Sequence, residues 1–230
     1  MKEGDCYKSK AFGHELVILD LLKYPFVKIK FFKTGNVVTL RRCNVRALEF
    51  RDYYQPTIYG IGVVGEVKVR VGGELLPSYV AWISLLGRCY KRGGIEERVC
   101  EEWLYFPNFM EWFDENVPEG WVVDKDYKYL GNCYYSPSTC TPLPCELNTL
   151  LVKSTEAKGF TLTRNGTFDS RVRVGRGKMA RKIFKTKKEA LKFYIHNKCK
   201  YIEELRLKYI NEVPDYVFDN AIKIIQSKYQ

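Results

Sequence analysis

Polar and apolar residues alternate along Val27-Lys28-Ile29-Lys30-Phe31, and a Thr34-Gly35-Asn36 break separates this run from Val37 to Arg41. Alternation with period two marks a half-buried strand, and a break of this chemistry joins two strands as a hairpin. With Glu15 to Asp20 before these runs and Ile61 to Val71 after them, residues 1–78 are expected to be β-rich, a small barrel-like module or twisted sheet. Helical spacing takes over in residues 79–152. Trp82, Leu85, Leu86 and Cys89, then Trp103, Phe106, Phe109, Met110 and Phe113, predict core-building helices. Strand character returns at Trp121 to Lys125 and at Cys133 to Tyr135, with Gly131-Asn132 as turn chemistry, and Ser136-Pro137 predicts a short helical turn.

Residues 153–230 are the most legible. Phe160 to Arg164 alternates, Asn165-Gly166 is a hairpin signal, and Thr167 to Val174 alternates again. This places Phe168, Val172 and Val174 on one face and Asp169, Arg171 and Arg173 on the other. A second turn, Gly175-Arg176-Gly177, leads to a strand over Lys178 to Phe184, and Thr186-Lys187-Lys188-Glu189 is a capping box opening a helix. Ala190, Phe193, Tyr194, Tyr201 and Leu205 form that helix's buried stripe, and a last helix starts at Pro214 with Val217, Phe218, Ala221, Ile222 and Ile225 facing inward. The expected fold class is α+β, ending in a three-stranded sheet packed on a helix.

Charge divides the chain in the same places. The 230 residues carry a net charge of +11, distributed as +5 over residues 1–79, −5 over 80–152 and +11 over 153–230, and all four tryptophans fall in the acidic middle. A basic balance of this size favours a polyanionic partner. No apolar run is long enough for a membrane-spanning helix, the N-terminus has charge where a signal peptide is apolar, and eight sparse cysteines suit a reducing compartment, so a cytoplasmic protein with no membrane partner is expected. Nothing in the sequence points to a protein partner.

The free face of the C-terminal sheet is expected to carry Arg164, Arg171, Arg173, Arg181 and Lys182. Arginine offers bidentate bonds to guanine, lysine neutralises phosphate, and a β-sheet fits the major groove. The order strand, NG turn, Arg-x-Arg strand, strand and F-x-T-x-x-E-A helix, over about residues 159 to 200, resembles the APETALA-two/ethylene-response-factor DNA-binding domain in its phage form. The resemblance implies double-stranded DNA as partner. Lys28, Lys30, Arg41, Arg42 and Arg46 can form a further basic face on the N-terminal module. Tyr- and Arg-rich sheets also clamp single-stranded RNA, a third reading.

In the middle segment, Arg88-Cys89-Tyr90, then Cys100, Glu102, Trp103, Phe106, Phe109 and Trp112, then Asp124-Lys125-Asp126, then Gly131, Asn132, Tyr135, Ser136, Pro137, Thr139 and Cys140 resemble bacteriophage HNH-type homing endonucleases. That resemblance implies a ββα-metal module that hydrolyses a phosphodiester around a divalent ion. The sequence departs from it in its histidines, since His14 and His196 are its only two and both lie outside the motif. By position Asp124 takes the place of the first metal ligand, Lys125 that of the general base, Ser136 that of the orienting asparagine and Thr139 that of the last histidine. Three outcomes stay open: a divergent site in which Asp124, Asp126 and Glu102 surround Mg²⁺ or Mn²⁺, a catalytically inactive scaffold kept for DNA binding as a regulator or host-takeover factor, or a site elsewhere. Paired carboxylates suit a hard cation, whereas Cys100, Cys133, Cys140 and Cys145 lack any C-x-x-C pair, so zinc is not expected.

Overall fold

The computed structural model describes residues 1–91, 98–151, 159–175 and 177–228. The chain divides into two compact units, residues 1–95 with 101–111 and residues 96–100 with 112–230. The class is α+β, as the patterning predicts. The compositional boundary near Lys153 and Arg176 of the second turn lie outside the described residues.

In the first unit β1 (Cys6–Lys8), β2 (Glu15–Asp20), β3 (Phe26–Phe31) and β4 (Val37–Arg41) form an antiparallel sheet in chain order. Period two sends Val27, Ile29 and Phe31 inward, where they meet Leu16, Ile18, Phe50 and Val45 of α1 (Arg42–Ala47). The sheet stays open, with β1 and β4 as its edges, so no barrel closes.

The run Ile61 to Val71 is strand only at β5 (Arg70–Val71), which pairs with β6 (Glu74–Leu75). Glycine explains the difference. Gly60 and Gly65 adopt φ of 78° and 72°, and at Gly62 an added Cβ would stand 2.7 Å from a Leu86 methyl and 3.0 Å from the Trp82 ring. The backbone is laid directly against α2 (Pro77–Leu86), an approach open only to a residue without a side chain. A π-helical turn, Gly87–Lys91, extends α2. The predicted helix over the Trp103 segment is broken into α3 (Glu101–Leu104) and α4 (Phe106–Asn116) because Pro107 has no amide to donate, and it sits in the new helix's first turn. Trp82 Nε1 donates to the Trp103 carbonyl at 2.6 Å, and the Trp82 and Phe106 rings pack 5.2 Å apart.

In the second unit the predicted hairpin partner is corrected. β8 (Trp121–Asp124) pairs with β10 (Thr141–Pro144) in the register Asp124 to Thr141, not with Cys133 to Tyr135. β9 (Tyr134–Tyr135) pairs in parallel with β7 (Arg98–Val99) instead. Prolines 142 and 144 disguise β10 in the sequence, yet an edge strand of a two-stranded sheet tolerates them. Ser136-Pro137 opens a turn; the helix is α5 (Cys145–Leu151), which follows β10 directly.

The C-terminal elements match the pattern closely. β11 (Thr161–Leu162), β12 (Phe168–Gly175) and β13 (Lys178–Phe184) form one antiparallel sheet, followed by α6 (Lys187–Lys208) and α7 (Asp215–Lys228). The Thr186 hydroxyl accepts from the Glu189 amide at 3.3 Å while the Glu189 carboxylate accepts from the Thr186 amide at 3.2 Å, the reciprocal capping box. One core joins Val172, Ile202, Val217 and Phe218 to Tyr127, Leu143 and Leu147. Packing is therefore continuous across the compositional boundary near residue 153.

Candidate nucleic-acid interface

Antiparallel register decides which side chains share a face, because residues directly opposite each other point the same way. Arg171 lies opposite Arg181, Arg173 opposite Met179 and Asp169 opposite Ile183. These positions make the outer face. Val172 with Ala180 and Ser170 with Lys182 make the other, helix-covered face, where the fully buried Ser170 hydroxyl donates to the Gly159 carbonyl at 2.8 Å.

Lys182 is therefore not beside Arg181. Consecutive residues of a strand cannot share a face, and the Lys182 ammonium instead lies 5.6 Å from the Phe184 ring centroid at the sheet edge. Arg164 is also displaced from its predicted strand. Thr163 N donates to Thr167 O at 2.8 Å and Gly166 N to Thr163 O at 3.1 Å, with Gly166 at φ 75°. The hairpin thus has a three-residue loop with a left-handed glycine, and Arg164 occupies the turn.

Arg171 and Arg181 are more than half exposed, and both converge on Asp169, whose side chain is 5% exposed. Arg171 donates from Nε and Nη2 to Oδ2 at 2.9 and 2.6 Å. Arg181 donates from Nε to Oδ1 at 3.0 Å and from Nη2 to Oδ2 at 2.9 Å. Two like charges directly opposite each other repel across a ladder, and the shared carboxylate offsets that repulsion. The hydrogen bonds from Arg181 and then Arg171 hold Asp169 down to about 2, so it is ionised at any physiological pH. Among the described residues neither guanidinium uses its Nη1, which leaves donors pointing away from the buried carboxylate. Met179 and Ile183, each more than half exposed, add apolar surface to the same face.

The period-two alternation places Asp169 on this face without revealing its partners. The signal was present: an acidic residue two positions before an arginine on one strand shares its face, within reach of the diagonal neighbour on the next strand.

The Asp124-Lys125-Asp126 run ends β8 and turns inward at Tyr127, which is 1% exposed and donates its hydroxyl to Leu147 O at 3.0 Å. Asp124 Oδ1 accepts from the Asp126 amide at 2.7 Å, closing an Asx turn. Burial, with the neighbouring Asp126 charge, pushes the Asp124 carboxyl up despite the amide bonds it accepts. Lys125 is buried, paired with Asp126 at 2.8 Å, and its ammonium lies 5.5 Å from the Tyr135 ring centroid. An ion-paired ammonium offers no lone pair to a proton, so Lys125 would have to lose this pairing to act as a general base.

Asn132, Ser136 and Thr139 bond locally. Asn132 donates to the Tyr134 and Lys125 carbonyls at 2.7 and 3.3 Å, tying the loop shut. Ser136 and Thr139 exchange hydrogen bonds, with their hydroxyls 2.9 Å apart. All eight cysteines are free thiols; Cys100 and Cys140 are buried, and burial raises Cys140 to about 12. Among the described residues no three or more His, Cys, Asp or Glu side chains form a set able to hold a metal ion. Asp126 pairs with Lys125 and Asp124 accepts a backbone amide, so both carboxylates already have protein partners in this structure. His14 is buried in the other unit, where its Nδ1 accepts from the Asp52 amide at 2.8 Å, and His196 is exposed on α6.

No helix among the described residues is long and apolar enough to cross a membrane. No protein-family model, curated protein or solved structure matches the chain, so the resemblances rest on the residues quoted for them.

Proposed function

We propose that this protein binds double-stranded DNA in the cytoplasm through the outer face of the β11–β13 sheet. The observation that supports this is the pair of cross-strand arginines, Arg171 and Arg181, held by one buried carboxylate beside Arg173. A guanidinium fixed in advance loses little entropy when it meets a phosphate or a guanine edge, and its planar fork suits both. The unit's C-terminal segment carries most of the chain's excess positive charge, which steers a polyanion toward it.

The test is duplex binding by the full chain over a range of salt. Replacing Arg171 and Arg173 with glutamine should weaken binding and flatten the salt slope by up to about 1.8 units if each arginine neutralises one phosphate. Unchanged affinity at every salt concentration would overturn the assignment.

Metal-dependent phosphodiester hydrolysis is the second reading. What favours it is that β8 pairs antiparallel with β10, which runs straight into α5, with Asp124 at the strand end. What weighs against it is the commitment of both carboxylates. Supercoiled plasmid incubated with Mg²⁺, Mn²⁺ or EDTA separates the two: cleavage lost in an Asp124→Ala, Asp126→Ala variant identifies a nuclease. Binding without cleavage identifies a DNA-binding regulator or host-takeover factor.

A further inference from the structure

We propose that the outer face of the β1–β4 sheet is a second nucleic-acid site, separate from the first, and that it takes a single strand. Register again defines the face: Phe26 lies opposite Arg41, Lys28 opposite Thr39, and Lys30 between Val17 and Val37. All three cations are exposed, and among the described residues Lys28, Lys30 and Arg41 form no salt bridge. Asp20 stands opposite Lys28, but Lys30 and Arg41 have only apolar partners in register. The result is a row of exposed cations of which only Lys28 has an acidic neighbour in register, complementary to a phosphate backbone.

Phe26 lies in register with Arg41, and Tyr24 stands two residues before it in the turn that enters β3. Tyr24 is 78% exposed and Phe26 42%. Arg42 fixes the backbone on both sides of Tyr24 by donating from Nη2 to the Leu22 carbonyl at 2.6 Å and from Nε to the Phe26 carbonyl at 3.1 Å. Its guanidinium also lies 6.0 Å from the Tyr24 ring centroid. The ring is thereby supported by the protein and open to solvent.

An exposed, supported ring together with a row of exposed cations is what a single strand uses, since its bases stack on the ring while its phosphates meet the cations. A duplex buries the faces of its bases within its own stack and has nothing to lay on Tyr24. The chemistry is common to single-stranded DNA and RNA, and comparing the two probes distinguishes them.

The experiment uses the full chain with labelled oligothymidylate, oligouridylate and a hairpin duplex, followed by fluorescence anisotropy. Tyr24→Ala should weaken single-strand binding about tenfold, the scale of one lost stacking contact. Lys28→Gln with Lys30→Gln should weaken it and reduce its salt slope, while duplex affinity stays unchanged. These side chains are exposed, and circular dichroism verifies that the variants fold. Single-strand affinity unaffected in both variants, or lost only when Arg171 and Arg173 are replaced, would overturn the proposal whether or not the duplex site stands. Parallel loss of single-strand and duplex binding would overturn it too.

Discussion

Arg181 meets Asp169 on the diagonal of the β12–β13 ladder, with its Nε 3.0 Å from Oδ1 and its Nη2 2.9 Å from Oδ2. Its direct neighbour across the ladder is Arg171, a like charge. Asp169 is what allows those two cations to face each other, and its carboxyl is held down to about 2 by the bonds it receives. A depressed carboxyl contributes its full stabilisation above the unfolded value of about 3.9 and loses it as pH falls toward the folded value. Asp169→Asn should therefore lower the melting temperature at neutral pH and have little effect near pH 2. The same change removes a negative charge from the face, so duplex binding should tighten at low salt and the gain should fade as salt screens it. Thermal melts at both pH values and anisotropy over a salt series test the two parts separately.

The C-terminal sheet and its helix were legible because each local signal agreed with the others: two alternating strands, a glycine turn and a capping box before a helical stripe. The β10 strand was not, since prolines 142 and 144 read as strand breakers and only its position at a sheet edge makes them compatible. The segment after Tyr59 failed in the opposite way. Its apolar residues suggested a strand, while Gly62 was serving the close approach of the backbone to Trp82 and Leu86, a contact that no local pattern reveals. For the candidate interface, sequence identified Arg171, Arg173 and Arg181; the pleat alone should have removed Lys182 from their face.

Glu146 was missed for a similar reason, because its partners are distant in sequence. It opens α5 and accepts from the Tyr209 hydroxyl at 2.5 Å and the Tyr201 hydroxyl at 3.4 Å, and it pairs with Lys208. Burial alone would raise its carboxyl, but the hydrogen bonds from Lys208 and Tyr209 outweigh burial and leave it lowered. Its stabilisation is therefore complete above the unfolded value of about 4.3 and disappears as pH falls through the folded one. Glu146→Gln should cost about 2 kcal/mol at pH 7, the scale of charge-assisted hydrogen bonds. Urea titrations at pH 7 and at pH 3 should show the difference between wild type and variant shrinking at the lower pH.

Gly62→Ala places a methyl group where Leu86, Ile58 and Trp82 already stand within 3.0 Å. Trp82 and Leu86 are both fully buried, so neither can move into solvent. Overpacking of this kind costs about 1–3 kcal/mol. The loss should appear as a lower urea midpoint, followed by the fluorescence of the four tryptophans. Gly60→Ala meets no atom within 4 Å but has φ of 78°, so it carries only backbone strain and should cost about 1 kcal/mol.

Asp124 separates a structural role from a catalytic one, because asparagine preserves half of what it does. An asparagine oxygen can still accept the Asp126 amide and keep the Asx turn, but it carries no charge to desolvate. Burial raises the Asp124 carboxyl, so at neutral pH the folded state bears the cost of an ionised group that the unfolded chain does not. That cost is complete above the folded value and absent below the unfolded value of about 3.9. Asp124→Asn should therefore raise the melting temperature at pH 7 and leave it unchanged below the unfolded value, whereas Asp124→Ala, which also loses the turn, should lower it at pH 7. If the protein cleaves DNA around a metal, the stabilised asparagine variant should bind duplex normally and cleave nothing, the trade of stability against function expected where a charge is kept for chemistry. If it binds without cleaving, the same variant should be more stable and otherwise indistinguishable, and a melting temperature unmoved by asparagine at pH 7 would show that the turn, rather than the charge, is all that Asp124 supplies.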